Sequence, residues 1–421
     1  MNLTIPRLNL LFLLVWLLLL FISYLNSYDD PSSIFYSETA SYTPRHSKLL
    51  SHQADLYLAN PPPRPPPPSD ENDNKFLCIG IPSINRTTQS FLKHTIGTLL
   101  LPLSPAQRSS VHLVVLLADR PAEKHSAYGE GWLEKVVDEV LIYDDPPPSE
   151  GGVYKKVPFE LVDGRERGKT RVENMRLDHS LLVETCMNQG SEYFALVEDD
   201  VVASGDWLTR LNKGLGFLEG RKGEEEWLYL RLFHSELLMG WNSEEWRTYL
   251  GWSCTVYAIV LISFLVLRSK RWLCFGRLGR QNADVFRYAT AMVFGLWLPA
   301  LIALWFLSGR ISTSRINPFS WTSHGVREMM NYGCCAQGLV FPRRQLPGVL
   351  KLMRYPPYRF PGDMILEGYA GDHGLRKWAL DPSVLQHVGF TESSAGPRRA
   401  EVWNFSFERL TPKTTGWGWG G

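Results

Sequence analysis

Three apolar stretches and one strongly basic segment constrain this chain more than anything else in it. The stretches run Leu8–Leu25, Trp252–Leu267 and Ala289–Leu307, and the first is interrupted only by Asn9, Ser23 and Tyr24. A helix rises 1.5 Å per residue, so spans of this length reach roughly 24–29 Å, enough for a thin bilayer. A cleaved signal peptide is the competing reading of the first stretch, but Ser27-Tyr28-Asp29-Asp30-Pro31 offers no small-x-small cleavage pattern. A buried helical hairpin is the competing reading of the other two. Against it stands the segment joining them, which carries Arg268, Lys270, Arg271, Arg277, Arg280 and Arg287 with Asp284 as its sole acid. Short basic loops beside membrane spans stay cytoplasmic, and Arg7 puts the start of the chain on the same side. The expected organisation is a cytoplasmic tail 1–7, an anchor 8–25, lumenal residues 26–251, a hairpin 252–307 with a cytoplasmic basic loop, and lumenal residues 308–421.

Residues 26–75 read as a polar stem, stiffened by the run Pro61-Pro62-Pro63-Arg64-Pro65-Pro66-Pro67-Pro68. Polyproline II extends at about 3.1 Å per residue and makes a semi-rigid spacer. Outside the hairpin, Cys78, Cys186, Cys334 and Cys335 face an oxidising lumen. Adjacent cysteines bridge each other only under strain, so the expected pairings link Cys78 and Cys186 to the Cys334-Cys335 pair, in either of two ways, with free buried thiols as the bland alternative. The sequons Asn85-Arg86-Thr87 and Asn404-Phe405-Ser406 are permitted by this topology. A formal net charge of +1 argues against a nucleic-acid binder, which normally carries a basic face, although the distribution of charge matters more than its sum.

From Phe76 onward, short runs rich in Val, Leu, Ile and aromatics predict strands at Phe76–Ile81, His112–Ala118, Glu139–Tyr143, Tyr193–Val197 and Trp227–Phe233. Helices are predicted at Gln89–Leu100 and Arg171–Met187. Beyond the hairpin follow a strand at Cys334–Phe341, a helix near Leu346–Met353 and a strand around Val384–Val388. Alternating strand and helix gives an α/β class with a mainly parallel sheet. Residues on both sides of the hairpin belong to one domain in this reading, 76–251 and 308–421, with the hairpin inserted.

The strongest local signal is Tyr193-Phe194-Ala195-Leu196-Val197-Glu198-Asp199-Asp200: an apolar strand ending in three acids, which repel each other unless a cation joins them. Ligands of open α/β sheets bind beyond the carboxyl ends of strands, and alternation turns Glu198 and Asp200 the same way. Oxygen ligands at that spacing suit Mn²⁺ or Mg²⁺, with substrate phosphates completing the shell. A solvated acidic loop, or a helix cap before Trp207, is the bland alternative.

The stretch Arg171-Val172-Glu173-Asn174-Met175-Arg176-Leu177-Asp178-His179, followed by Tyr193–Val201, resembles the helix and acidic motif of the N-acetylglucosaminyltransferase IV group of Golgi glycosyltransferases. Gly362-Asp363-Met364-Ile365-Leu366-Glu367 and Pro382-Ser383-Val384-Leu385-Gln386-His387-Val388-Gly389 are similar to that group's later motifs, in the same order. With a hairpin between the early and late motifs, the chain from Leu8 to about Ser394 resembles the post-GPI-attachment N-acetylgalactosamine transferases. That resemblance implies a GT-A-like domain split by a transmembrane helical hairpin, behind an N-terminal anchor. It implies metal-dependent transfer of GalNAc from UDP-GalNAc to a mannose of the GPI-anchor glycan, with inversion, at the Golgi membrane.

Carried over residue by residue, the resemblance gives Asp363 as catalytic base, with Glu367 and Asp372 in reserve. His387 becomes a third metal ligand beside Glu198 and Asp200. Pro82, Ser83 and Arg86, in the loop where such a fold meets the nucleotide, together with Asp178 and Asp199, become donor-binding residues. Expected partners are the UDP-sugar, a GPI-anchored glycan or protein, and the lipid bilayer. Two rivals remain: an N-glycan N-acetylglucosaminyltransferase IV-like enzyme, and a membrane scaffold without catalysis.

Overall fold

The short apolar runs form the strands predicted from them, and a computed structural model describes residues 5–64, 75–86, 90–147, 152–159, 170–221, 226–275, 287–316, 325–329, 333, 336–357, 362–389, 392–393, 396–397 and 404–409. The chain divides into two units, Met1–Thr43 with Met239–Ser320, and Pro44–Leu238 with Trp321–Gly421.

The first unit holds three helices long and apolar enough to cross a membrane: Pro6–Asn26, Trp246–Val266 and Arg287–Leu307. Several of their polar side chains bond to one another or to backbone. Trp297 Nε1 donates to Asn9 Oδ1 at 3.0 Å, Trp16 Nε1 to the Ala300 carbonyl at 3.0 Å, and Ser308 Oγ to Ser23 Oγ at 2.8 Å. The third span widens into a π-helical turn over Val293–Trp297, just before Pro299. Proline has no N–H and crowds the carbonyl four residues back, which accounts for the wider turn. Of the basic segment, residues 276–286 lie outside the described residues.

The second unit is built on a mixed α/β sheet. Its strands in chain order are β1 (Leu77–Ser83), β2 (Val111–Leu117), β3 (Glu139–Ile142), β4 (Tyr154–Lys156), β5 (Tyr193–Val197), β6 (Val201–Ala203), β7 (Trp227–Arg231), β8 (Val326–Glu328), β9 (Gly338–Pro342), β10 (Arg376–Leu380) and β11 (Leu385–His387). Nine of them form one sheet in the order β4-β3-β2-β1-β5-β9-β7-β10-β8, while β6 and β11 pair separately. The β4–β5 half is parallel throughout; β9 enters antiparallel to both β5 and β7, and β8 is antiparallel to β10. Strands from before residue 239 and after residue 320 therefore interleave in a single sheet.

Apolar side chains of both sheet faces are covered. One face packs the helices Leu92–Leu100 and Trp207–Gly220, and the other packs Arg171–Asn188, Leu346–Arg354 and Gly362–Asp372. The Trp207 indole is 1% exposed and donates to the Leu99 carbonyl at 2.9 Å, tying two helices together. Helix Arg171–Asn188 starts at Thr170, whose hydroxyl accepts from the Glu173 N–H.

Three expectations need correction. The stem 26–75 contains the helix Arg45–Ala59, which buries Leu50, Ala54 and Leu58 at a spacing of four and packs into the sheet unit. Part of the proline run, residues 65–68, lies outside the described residues. The cysteine pairing is also different: Cys78 bonds Cys186, with Cα atoms 5.6 Å apart. The crossover after β4 lays helix Arg171–Asn188 over β1, and that brings the two together; Cys334 and Cys335 lie outside the described residues. Asn404, read as a permitted sequon, is fully buried. Its amide donates to the Leu385 carbonyl at 3.1 Å, and its carbonyl oxygen accepts from the Phe407 N–H at 3.0 Å. In the folded chain its amide nitrogen is buried and hydrogen-bonded instead of open to a glycan.

The seating of helix Arg45–Ala59 can be tested. It crosses helix Leu92–Leu100 at Gly97, where an added Cβ would lie 2.6 Å from Ala54 Cβ. Gly97→Ala is expected to cost about 1–3 kcal/mol as an over-packing change, read as a lowered melting temperature of the full chain.

Candidate functional site

In this sheet the chain leaves β1 toward β2, β3 and β4, then returns to place β5 on the other side of β1. That reversal makes a crevice beyond the carboxyl ends of β1 and β5, where open α/β sheets bind ligands. β1 delivers Pro82, Ser83 and Arg86 there, and β5 delivers Glu198, Asp199 and Asp200. β11 adds His387, because its antiparallel pairing sets His387 opposite Val201 and Gln386 opposite Val202. The Val388 N–H donates to the Asp200 carbonyl at 2.9 Å, closing the same pairing.

Ligand atoms of Glu198, Asp200 and His387 all lie within 4.8 Å of one another. His387 Nε2 is 3.2 Å from Asp200 Oδ2. The Arg86 Nη2 group bridges the acids, 2.7 Å from Asp199 Oδ1 and 2.9 Å from Asp200 Oδ2. Ser83 Oγ donates to Asp199 Oδ2 at 2.6 Å. Thr95, buried on helix Leu92–Leu100, fixes the backbone of the turn: its hydroxyl lies 2.7 Å from the Asp199 and Val201 carbonyls and accepts from the Val201 N–H.

The electrostatics suit a cation. Burial and the neighbouring Asp200 charge push the Glu198 carboxyl up to about 8, with His387 pulling the other way. Asp199 is raised as well, burial outweighing the guanidinium of Arg86. Asp200 goes down to about 2: burial opposes its charge, but His387 and Arg86 prevail. Three acids at one strand tip cannot all ionise without compensating charge. Asp200 Oδ1 is buried and has no hydrogen-bond partner among the described residues. Two carboxylates and an imidazole around such an atom fit Mn²⁺ or a similar divalent ion.

Gly389 is part of this fit. A Cβ there would overlap Asp200 Oδ2 and lie 3.1 Å from its Cγ. Because Arg86 and His387 clamp the carboxylate, it cannot simply swing aside. Gly389→Ala is expected to weaken Mn²⁺ binding by about tenfold or more, measured by titrating the full-length protein with the ion.

Asp363 stands in the first turn of helix Gly362–Asp372 and is half-buried. Its charge raises Glu198, opposes the burial that takes His179 down to about 4, and supports Arg231, so it shares the electrostatic neighbourhood of the acidic centre. Glu367, one turn on, is committed elsewhere. Its Oε1 accepts from Arg231 Nη2 at 3.0 Å and from the Tyr229 hydroxyl, and its Oε2 pairs with Lys377 Nζ at 2.5 Å. Asp372 is exposed at the helix end. Asp178 is buried and grouped with Tyr143, whose hydroxyl donates to it at 2.5 Å. Thr95, His125, Tyr229, Arg231 and Lys377 were not foreseen. Each is a single residue in an unremarkable local pattern, and only the strand order collects them.

A sequence model of the GPI-N-acetylgalactosamine transferase PGAP4 family matches residues 153–386, more than half of the chain. The chain belongs to that family. The matched region takes in the acidic centre, Asp363 and the first residues of β11. The chain is also similar to alpha-1,3-mannosyl-glycoprotein 4-beta-N-acetylglucosaminyltransferase B of Homo sapiens, 26% identical over 156 residues, 36% of this chain and 27% of the relative. The Danio rerio protein of the same name is 24% identical over 166 residues, covering 37% and 28%. The C enzyme of Macaca fascicularis is 26% identical over 150 residues, covering 35% and 31%. The similarity thus spans less than a third of these relatives. All are hexosaminyltransferases by name, so the family setting is glycosyl transfer.

Proposed function

We propose that this chain is a Golgi membrane glycosyltransferase of GT-A type that moves GalNAc from UDP-GalNAc to a mannose of the GPI-anchor glycan, with inversion. The convergence of Glu198, Asp200 and His387 at the β1/β5 crevice carries this reading. A divalent ion held by those three would neutralise the charge of a departing diphosphate as a Lewis acid. Arg86, beside Asp199 and Asp200, would meet the phosphates, and Ser83, Pro82 and Asp178 would shape the donor pocket.

Asp363 is the proposed base. Its carboxylate takes the proton of the acceptor hydroxyl as that oxygen bonds the anomeric carbon, while the carbon–oxygen bond to the nucleotide breaks on the opposite face and its electron pair leaves with UDP. One displacement gives inversion. Glu367, with both oxygens occupied by buried donors, serves as a holder of Arg231 and Lys377 instead.

In this reading residues 1–7 are cytoplasmic, 8–25 anchor the chain, 252–307 form the membrane hairpin, and the flanking 76–251 and 308–421 make one lumenal catalytic domain. Three spans would keep that domain within reach of a lipid-anchored glycan. A second reading is favoured by the names of the relatives: transfer of N-acetylglucosamine to N-glycans. The deciding assay gives purified full-length protein UDP-GalNAc and UDP-GlcNAc, each with a GPI glycan and with an N-glycan acceptor. GalNAc transfer to the GPI glycan is expected. GlcNAc transfer to the N-glycan would replace this reading with the second.

A further inference from the structure

A hydrogen-bonded chain runs from the loop after β2 into the acidic centre, and its direction can be read atom by atom. His125 is 2% exposed and follows the short 3-10 turn Ala122–Lys124. The Ala127 N–H donates to His125 Nδ1 at 3.1 Å. Nδ1 therefore carries a lone pair, and the ring proton of the neutral imidazole sits on Nε2. Nε2 is 3.0 Å from Ser83 Oγ, which must accept from it. The single hydroxyl proton of Ser83 is then directed to Asp199 Oδ2, 2.6 Å away. Asp199 Oδ1 holds Arg86 Nη2, and the same nitrogen reaches Asp200 Oδ2.

Each link fixes the next. A protonated His125 would set two N–H groups against each other at Ala127. Burial works against that proton and keeps the ring's pKa below the usual histidine range, although Asp119 pulls it upward. Removing the ring would free Ser83 to turn its proton elsewhere, and Asp199 would lose the donor that holds the carboxylate in the plane Arg86 requires. The guanidinium lies against the Phe91 ring, 5.6 Å from its centroid, so its height above the crevice is also set.

We infer that His125 is a positioning residue for the donor: through Ser83 and Asp199 it holds Arg86 in place for the diphosphate of a nucleotide-sugar. This rests on the proposed donor site, and the experiment separates the two. Full-length wild type, His125→Leu, His125→Gln, Ser83→Ala, Arg86→Ala and the His125→Leu/Arg86→Ala double variant are titrated with UDP in saturating Mn²⁺. Their donor KM, kcat and melting temperatures are measured as well.

His125→Leu and Ser83→Ala are expected to weaken UDP binding and raise donor KM by about 10–100-fold, with a smaller change in kcat and melting close to wild type. His125→Gln should regain most of the affinity, because the glutamine amide can present an N–H where the ring Nε2–H stood. The double variant should bind no more weakly than Arg86→Ala alone, since His125 acts through Arg86. Wild-type UDP affinity in His125→Leu, or full additivity with Arg86→Ala, would overturn the positioning role. Should His125→Leu fail to fold, unchanged affinity in Ser83→Ala would do the same. Wild type that does not bind UDP at all would bring down the donor site itself, and this inference with it.

Discussion

Asp200→Asn is expected to cut sugar transfer by at least about a hundredfold while leaving the protein folded, the scale on which a preorganised electrostatic partner of a developing charge is lost. The substitution keeps the shape of the side chain but removes the charge around which Arg86, His387 and Glu198 are arranged. Arg86 keeps Asp199 as partner, so its buried guanidinium is not stranded and melting should shift little. Mn²⁺ titration should show the affinity lost along with the activity. If the variant keeps Mn²⁺-dependent transfer within about threefold of wild type, the difference is too small for a ligand of the catalytic ion. The metal assignment would then be wrong.

Much of this centre was legible in the chain because its chemistry is concentrated in one strand tip. Tyr193–Val197 was apolar along its whole length and ended in three acids, and the structure gives a strand with the predicted bounds. His387 was different. β6 and β11 are three residues each, too short to show alternation, and their register alone puts His387 beside Asp200. Only the motif around Gln386-His387-Val388 pointed there. His125 and Thr95 had no signal of that kind, since each acts by a single hydrogen-bonding atom on a partner more than 40 residues away.

The fold shows the same division. Strands β1, β2, β3 and β5 come from continuous apolar runs, because they are covered on both faces. The antiparallel entry of β9 has no local cause; residues 239–320 intervene before it, and its direction is set when it fills the gap between β5 and β7. Helix Arg45–Ala59 did carry a readable signal, Leu50, Ala54 and Leu58 one turn apart, but the neighbouring prolines drew the whole segment into a stem. The Cys78–Cys186 bond likewise follows from packing. Cys78 lies in β1 and Cys186 in the crossing helix, and both belong to one buried apolar face.

Two acids on one helix are expected to respond in opposite ways. Asp363→Asn should lower kcat by about 10²–10⁴-fold, the range for loss of a general base, with donor KM and melting close to wild type. The amide keeps the size and can still accept from the Met364 N–H, which lies 2.9 Å from the carboxylate, but cannot take a proton from an acceptor hydroxyl. Glu367→Gln should act on stability first. Its carboxylate is the partner of Arg231, whose side chain is 1% exposed, and of Lys377, 10% exposed. The new amide would turn one N–H₂ against a cation, and breaking a buried pair costs about 3–5 kcal/mol. A lowered melting temperature should therefore accompany whatever activity Glu367→Gln loses. If Glu367→Gln loses kcat with unchanged melting while Asp363→Asn stays active, the proton leaves the acceptor by way of Glu367, and Arg231 and Lys377 stabilise the base instead of merely being held by it.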